Sequence, residues 1–331
     1  MTSSDRIVWL DYSKAIAIIL VVLFHSGLAT SKITSPLLAI CIPLFFSTNG
    51  ALVLLKNRRT NYFVAKVFKI LFLYLFWGSV SSVTTMLIKG ESVLVSEVVS
   101  SVINLRMGYA HIFWFLCTLI ALYCIYPAIQ YAVNTPDGCS FLLIASLILS
   151  LKLFGYRVPL FHIPNVLSGW ESECVFYAIC GYAIIKVGKL DFKELGTYWF
   201  FILLAAFVGA YAFQLLMYSP IPFFSNHTPN SIDDAVFSLY KSPCIMLMTA
   251  IVFILLKNSK LPQSRLVRII GENTLGIYVT HELFMKISLR FLSMDSAFLK
   301  HFIIFVFSLF LSAILSYLLS SNKYTRFFVS L

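Results

Sequence analysis

Charge is scarce in this chain: of 331 residues only 12% are Asp, Glu, Lys or Arg, while 60% are hydrophobic. No polar stretch is long enough to form a soluble domain, and a composition so far from that of globular proteins excludes an ordinary water-soluble enzyme. Acidic residues are scarcer still, 14 against 25 basic, which leaves a net charge of +11. In a soluble chain that excess points to nucleic acid. Here the basic residues sit in short loops between apolar runs, so the charge is topological and no nucleic-acid partner is expected. Cysteine pairs at metal or redox spacing are also missing. The seven cysteines, Cys41, Cys117, Cys124, Cys139, Cys174, Cys180 and Cys244, are odd in number, fall mostly inside apolar runs and form no C-x-x-C. They read as small buried hydrophobes rather than disulfide partners or metal ligands. No internal repeat or low-complexity tract is apparent.

What the chain does have is long apolar runs. A spanning helix needs about 20 mostly apolar residues at 1.5 Å rise each. That rule predicts an all-α polytopic membrane protein with about ten transmembrane helices, over 7–28, 36–56, 67–88, 110–132, 139–154, 168–187, 197–217, 236–257, 268–290 and 299–320. The fifth is the shortest. Basic residues set the orientation. With the N-terminus inside, one side collects Arg6, then Lys56, Arg58, Arg59, Lys66 and Lys69, then Lys186, Lys189 and Lys193, then Lys257, Lys260, Arg265 and Arg268, then Lys323 and Arg326. The opposite side is poorer in them, so both termini are expected in the cytoplasm. Trp9, Trp114, Trp170 and Trp199 fall near expected helix ends, as interfacial anchors do. Arg6 before an apolar run also resembles the start of a signal peptide. Asp11 and Lys14 interrupt that run, which favours a retained first helix. Three longer loops, 89–109, 155–167 and 218–235, face outward. The first holds SVLVSEVVSSVINL, suited to lying on or re-entering a membrane surface. The third holds Asn226-His227-Thr228, which matches a glycosylation acceptor, a short and unspecific pattern.

Polar side chains within spans cost about 2.5–3.5 kcal/mol each at the bilayer centre on insertion scales, which makes them functional candidates. The first span, DYSKAIAIILVVLFH, is the richest. Lys14 and His25 are 11 residues apart, three turns with only about 20° of drift, and Asp11 lies within about 60° of both. All three face one way. Along the axis, however, Lys14 and His25 are about 16 Å apart, whereas Asp11 and Lys14 at i, i+3 can pair. The stripe therefore predicts an ion pair at an inner level and a histidine at an outer one. The competing reading is that the pair merely snorkels to the interface and that His25 is a satisfied interfacial side chain.

The histidines fall together on the outer side. His25, His111, His162, His227 and His301 map to that side, and His281 lies about 19 Å along the ninth span from Arg268. Imidazoles without carboxylate or thiolate at ligand spacing suit proton transfer better than zinc, and no metal is expected. Glu171 and Glu173 open the sixth span on the same side. Glu173 is a candidate partner for a histidine, or simply an acid favoured at a helix N-terminus. On the inner side KNRRTNYFVAKVFKI carries Arg58, Arg59, Lys66 and Lys69, which suit phosphate groups such as those of coenzyme A, or simply obey the positive-inside rule.

Five segments together resemble the integral membrane acyltransferase-3 family. They are WLDYSKAIAIILVVLFH (9–25), CIPLFFSTNGALV (41–53), HIFWFLCTLIALYCIYP (111–127), VFYAICGY (175–182) and GENTLGIYVTHELF (271–284). The basic residue, ten residues and histidine of the first segment are weak alone. Their union with PLFF-x3-G, HxxWFL and LGIYxxH is fairly specific, and the resemblance runs through all ten expected spans.

The resemblance implies an O-acyltransferase that takes an acyl group, most often acetyl, from cytoplasmic acetyl-CoA as co-substrate and places it on a sugar hydroxyl of a bacterial surface polysaccharide. The acceptor would be O-antigen, as in lipopolysaccharide, or a related lipid-linked oligosaccharide, and the location the bacterial inner membrane, in contact with its lipid. Lys14 and His25 match the family's essential basic residue and histidine, with His25 as general base and Asp11 as partner of Lys14. Lys66 and Lys69 stand where the family has R-x-x-R. Lysine lacks the bidentate fork of arginine, so either point charges suffice or Arg58 and Arg59 share the task. His111, Glu173, Tyr278 and His281 are candidates for lining the acceptor site. The family often carries an additional soluble hydrolase-like domain. None follows in this sequence, so residues 1–331 are expected to act as one membrane domain. The alternative from another class is a transporter or flippase of a lipid-linked sugar. It should show paired, Gly/Pro-broken helices in two related halves, and none are evident.

Overall fold

The apolar runs fold as helices, the only open-ended structure that satisfies its own backbone polar groups in lipid. The computed structural model describes residues 7–28, 31, 33–106, 108–150, 171–187, 198–217, 239–240 and 242–331, and every regular element among them is helical. In order they are α1 (Val8–His25), α2 (Ser35–Leu38), α3 (Cys41–Leu54), α4 (Thr60–Lys89), α5 (Val95–Ile103), a 3-10 turn (His111–Phe113) running into α6 (Trp114–Val133), α7 (Gly138–Ser150), α8 (Glu171–Lys186), α9 (Tyr198–Met217), α10 (Pro243–Asn258), α11 (Arg265–Glu272), α12 (Thr274–Phe291), α13 (Ala297–Ser321) and a last 3-10 turn (Arg326–Phe328). Expectations for Arg6, Lys189, Lys193, Trp170, His162, His227, Asn226-His227-Thr228 and loops 155–167 and 218–235 fall outside the described residues.

Among the described residues six stretches are long and apolar enough to cross a membrane: Val8–His25, Ser35–Leu54, Thr60–Lys89, His111–Val133, Tyr198–Leu216 and Ala297–Ser321. The other four expected spans correspond to α7, α8, α10 and α11–α12, which are shorter or more polar. α7 has 13 residues, and α12 carries Glu282, Lys286 and Arg290.

Three boundaries differ from expectation. α4 begins at Thr60 and runs 30 residues, about 45 Å, so Lys66 and Lys69 lie on its first turns and not in a loop. Its length exceeds a hydrocarbon core of about 30 Å. The expected continuous helix 268–290 is broken at Asn273, whose side-chain amide donates to the carbonyl of Ile269 at 2.8 Å. The Thr274 hydroxyl donates to the next carbonyl, that of Ile270, at 3.0 Å, and these local bonds close α11 before α12 begins at Thr274. The loop 89–109 contains α5, which exposes Val95, Val99 and Ile103 along one face and buries Val102.

α1 lies at the centre. It packs against α3, α10, α11, α12 and α13, so its polar stripe faces neighbours on several sides. The broadest packing joins α3 to α8. A Cβ on Gly50 would stand 2.0 Å from the carbonyl oxygen of Ala178, and one on Gly181 2.0 Å from that of Ser47. The two backbones touch, as small residues allow between membrane helices. Gly276 serves α12 and α13 in the same way, since a Cβ there would meet the hydroxyl of Ser316 at 2.0 Å.

Candidate active site

At the inner level of α1 the expected pair is present: Lys14 Nζ stands 2.9 Å from Asp11 Oδ1. Asp11 is buried, and Gly271 of α11 packs on its backbone. Beside it, the buried Ser13 hydroxyl meets that of Thr48 on α3 at 2.8 Å. Charge and hydroxyls thus meet where α1, α3 and α11 converge.

His25 is the last residue of α1 and is exposed. Beyond it, His301 of α13 packs its ring on Gly27 and donates from Nδ1 to the carbonyl of Ser26 at 2.6 Å. This bond fixes the end of α1, and with it the level at which His25 emerges. His25, His111 and Tyr278 line one small cavity with Cys41, Ile42, Trp114 and Tyr240. Its volume is about 30 Å³, room for water but not for a sugar.

His281 is fully buried, and its ring centroid lies 5.3 Å from that of His25. Its Nδ1 is 2.6 Å from the carbonyl of Tyr278. A carbonyl only accepts, so Nδ1 carries the proton and Nε2, in the neutral ring, is the acceptor. That Nε2 is buried and has no hydrogen-bond partner. Tyr278 donates its hydroxyl to the carbonyl of Ile112, next to His111. Glu173 is buried in an adjoining cavity that shares Ile42, Trp114 and Tyr240 with the first. Of the four expected residues, His111, Tyr278 and His281 thus lie beside His25, Glu173 lines the adjoining cavity, and the Asp11–Lys14 pair stays apart from them.

At the other end of α4, Arg58 holds its guanidinium 4.7 Å from the centre of the Tyr62 ring, and Lys66 holds its amine 5.4 Å from the same centre. Arg58 Nε has no hydrogen-bond partner. The backbone around it is fixed by Gln130 of α6, whose side chain accepts from Arg58 N–H at 2.9 Å and donates to its carbonyl at 2.9 Å. Lys69 points elsewhere, to the Phe327 ring at 5.1 Å, and Arg59 is exposed at the helix start. Arg58 and Lys66 therefore share one ring, which Lys69 does not touch.

A part-buried ion pair within a span was not anticipated from sequence. Glu282 and Lys286 of α12 pair at 3.3 Å, with side chains only 15% and 14% exposed, next to Ser81 of α4 and the carbonyl of Tyr109. The signal was present as an i, i+4 acid and base inside an apolar run. Among the described residues no group of three His, Cys, Asp or Glu side chains is placed to hold a metal ion.

A family model described as an acyltransferase domain matches residues 7–321. No curated protein and no solved structure matches the chain.

Proposed function

The chain belongs to the acyltransferase-3 family, and from that premise we propose that it moves an acetyl group from cytoplasmic acetyl-CoA to a sugar hydroxyl of a bacterial surface polysaccharide or its lipid-linked precursor. In this reading it spans the inner membrane about ten times, α7, α8, α10 and α12 crossing with the six longer stretches, and both termini are cytoplasmic.

The observation that carries the reading is the outer cavity, where exposed His25 stands with His111 and Tyr278 and beside His281. A hydroxyl attacking a thioester must lose its proton as the new C–O bond forms, and a placed imidazole speeds such a step about 10²–10⁴-fold. His25 takes that proton. The C–S bond then breaks, and the proton passes to the coenzyme A thiolate. The product is the sugar ester and free coenzyme A.

Arg58 and Lys66, with Lys69 further along α4, hold the donor's phosphates, Arg58 supplying the planar fork that the lysines lack. The acyl group, or the arm that carries it, travels about 16 Å along α1 from the level of Lys14 to His25. The Asp11–Lys14 pair keeps charge on that route. A flippase would also need polar residues within the bundle, but membership of an acyltransferase family does not favour it.

The test is the acetyl content of surface polysaccharide, read by NMR, in cells making the wild-type chain or His25→Ala. Loss of acetylation with normal membrane insertion is expected. Unchanged acetylation would remove His25 from the chemistry.

A further inference from the structure

The Glu282–Lys286 pair lies beneath the segment that carries His111. Lys286 has three N–H donors and meets three acceptors: Glu282 Oε1 at 3.3 Å, Ser81 Oγ at 2.9 Å and the carbonyl of Tyr109 at 3.2 Å. Ser81 uses its own hydrogen on that same carbonyl at 2.5 Å. One backbone oxygen, two residues before His111, thus receives two donors from two different helices.

The rest of the segment is fastened as well. Thr85 of α4 sends its hydroxyl hydrogen to the Ser81 carbonyl at 2.8 Å and stands 3.3 Å from the carbonyl of Gly108. The buried Tyr109 donates its hydroxyl to Glu91 at 2.7 Å and accepts from Lys89 at 3.0 Å. Tyr278 donates to the carbonyl of Ile112. Just upstream Leu105 has φ 47, a left-handed conformation that costs a bulky residue about 1–3 kcal/mol and persists only where surroundings dictate it. It closes α5 by sending Arg106 N–H to the carbonyl of Ser101 at 2.9 Å, a helix ending that normally uses glycine.

A buried ion pair is weak evidence for stability, because desolvation offsets its attraction. What it provides here is direction. We propose that Glu282, Lys286 and Ser81 are positioning residues that hold His111 at the cavity shared with His25, so that α12 sets the placement of His111 from the same helix that carries His281. Glu282 orients the Lys286 amine, the amine and Ser81 fix the Tyr109 carbonyl, and the fixed turn presents His111. This rests on the acyltransfer reading of the cavity given above.

The test uses the full chain in lipid nanodiscs. Lys286→Met alone strands a buried carboxylate and can fail to fold, so the informative variants are Ser81→Ala and the charge-free pair E282Q/K286M. The labelling rate of His111 by diethyl pyrocarbonate, read by mass spectrometry, reports its placement, with His301 as the internal control. In E282Q/K286M His111 is expected to react about tenfold faster, the scale of losing a charge-assisted hydrogen bond. Ser81→Ala should show a smaller increase, and His301 should be unchanged in both. Polysaccharide acetylation in cells should fall in parallel. Unchanged His111 labelling, equal acceleration of His301, or full acetylation despite faster labelling would each overturn the clamp. His111→Ala and His25→Ala separate the two levels of the argument. If His25→Ala abolishes acetylation and His111→Ala does not, the clamp alone is wrong. If neither matters, the acyltransfer reading of the cavity is wrong.

Discussion

His25 and His281 sit at opposite ends of the chain, yet their rings stand 5.3 Å apart, one exposed at the end of a helix and the other fully buried within one. Packing of α1 on α12 creates this pairing. The buried ring has its proton committed to the Tyr278 carbonyl, so its free nitrogen can only accept a hydrogen bond while the ring is neutral. Removing His25 should lower acyl transfer about 10²–10⁴-fold. Removing His281 should lower it less. The double variant should be no worse than His25→Ala alone, because residues acting as one unit are not additive. Rates of acetyl transfer in isolated membranes, normalised to inserted protein, decide this. A double variant much slower than His25→Ala would show that His281 acts independently.

The inner pair makes a second expectation. Lys14→Met leaves the Asp11 carboxylate buried without its lysine, which should cut the amount of folded protein by the scale of a broken buried pair, about 3–5 kcal/mol. The double variant D11N/K14M should recover expression, because neither buried charge remains, but should stay inactive if Lys14 serves the donor route. Recovered activity together with recovered expression would reduce the pair to a folding element. Detergent-solubilised yield and transfer rate, measured on the same samples, separate these outcomes.

For the proposed donor site, ring contacts separate the cations. Arg58 and Lys66 share Tyr62, whereas Lys69 turns to Phe327. Arg58→Ala and Lys66→Ala should each weaken acetyl-CoA binding about tenfold, the lower range for a charge-assisted contact to phosphate. Lys69→Ala should weaken it less. Arg58→Lys should not restore wild-type affinity, since an ammonium cannot form the two parallel bonds of a guanidinium. Equilibrium binding of labelled acetyl-CoA at two salt concentrations is the check. Equal losses at Lys66 and Lys69 would contradict the ranking.

The α3–α8 contact should be intolerant of a single methyl group. Gly50→Ala or Gly181→Ala places a carbon 2.0 Å from a backbone oxygen, and overpacking of this kind costs about 1–3 kcal/mol or more. Gly209, within α9, has nothing within 4 Å of where a Cβ would lie. Ala there should be neutral or slightly stabilising by helix propensity. Thermal melts in detergent of the three variants beside wild type provide the comparison, and equal melting temperatures would mean the helices can part without loss.

How far sequence reaches is clear from particular residues. The face and spacing of Asp11, Lys14 and His25 follow from helix geometry alone, so the inner pair and the outer histidine could be read before any packing was known. His111, Tyr278 and His281 were named separately as candidates, and their gathering beside His25 depends on packing between helices that no single segment shows. The break at Asn273 was not read from sequence, although Gly271 precedes it; the Asn273 amide on the carbonyl of Ile269 and the Thr274 hydroxyl on that of Ile270 close α11 there. The role of Lys286 was hidden for another reason. Its partners Ser81 and Tyr109 are distant in sequence, and an acid and base four apart in a span do not say which loop they hold. Lys66 and Lys69 were grouped by a motif, but a rise of three residues on α4 sends their amines to different rings.

The contact of α3 with α8 has a mechanical consequence. With peptide groups touching at Gly50 and Gly181, the two helices behave as one rigid strut. The outer end of that strut carries Cys41 and Ile42 from α3 and Glu173, Cys174 and Tyr177 from α8, which form one wall of the two neighbouring cavities. At about 30 Å³ the cavity at His25 is too small for a sugar, so in the proposed reading an acceptor enters only if a wall retreats. The strut cannot bend there without breaking its own backbone contact. With that wall fixed, room for an acceptor in the proposed reading comes only from α1, α12 or the turn before α6, so opening the cavity and loosening the bonds that fasten His111 would be one event.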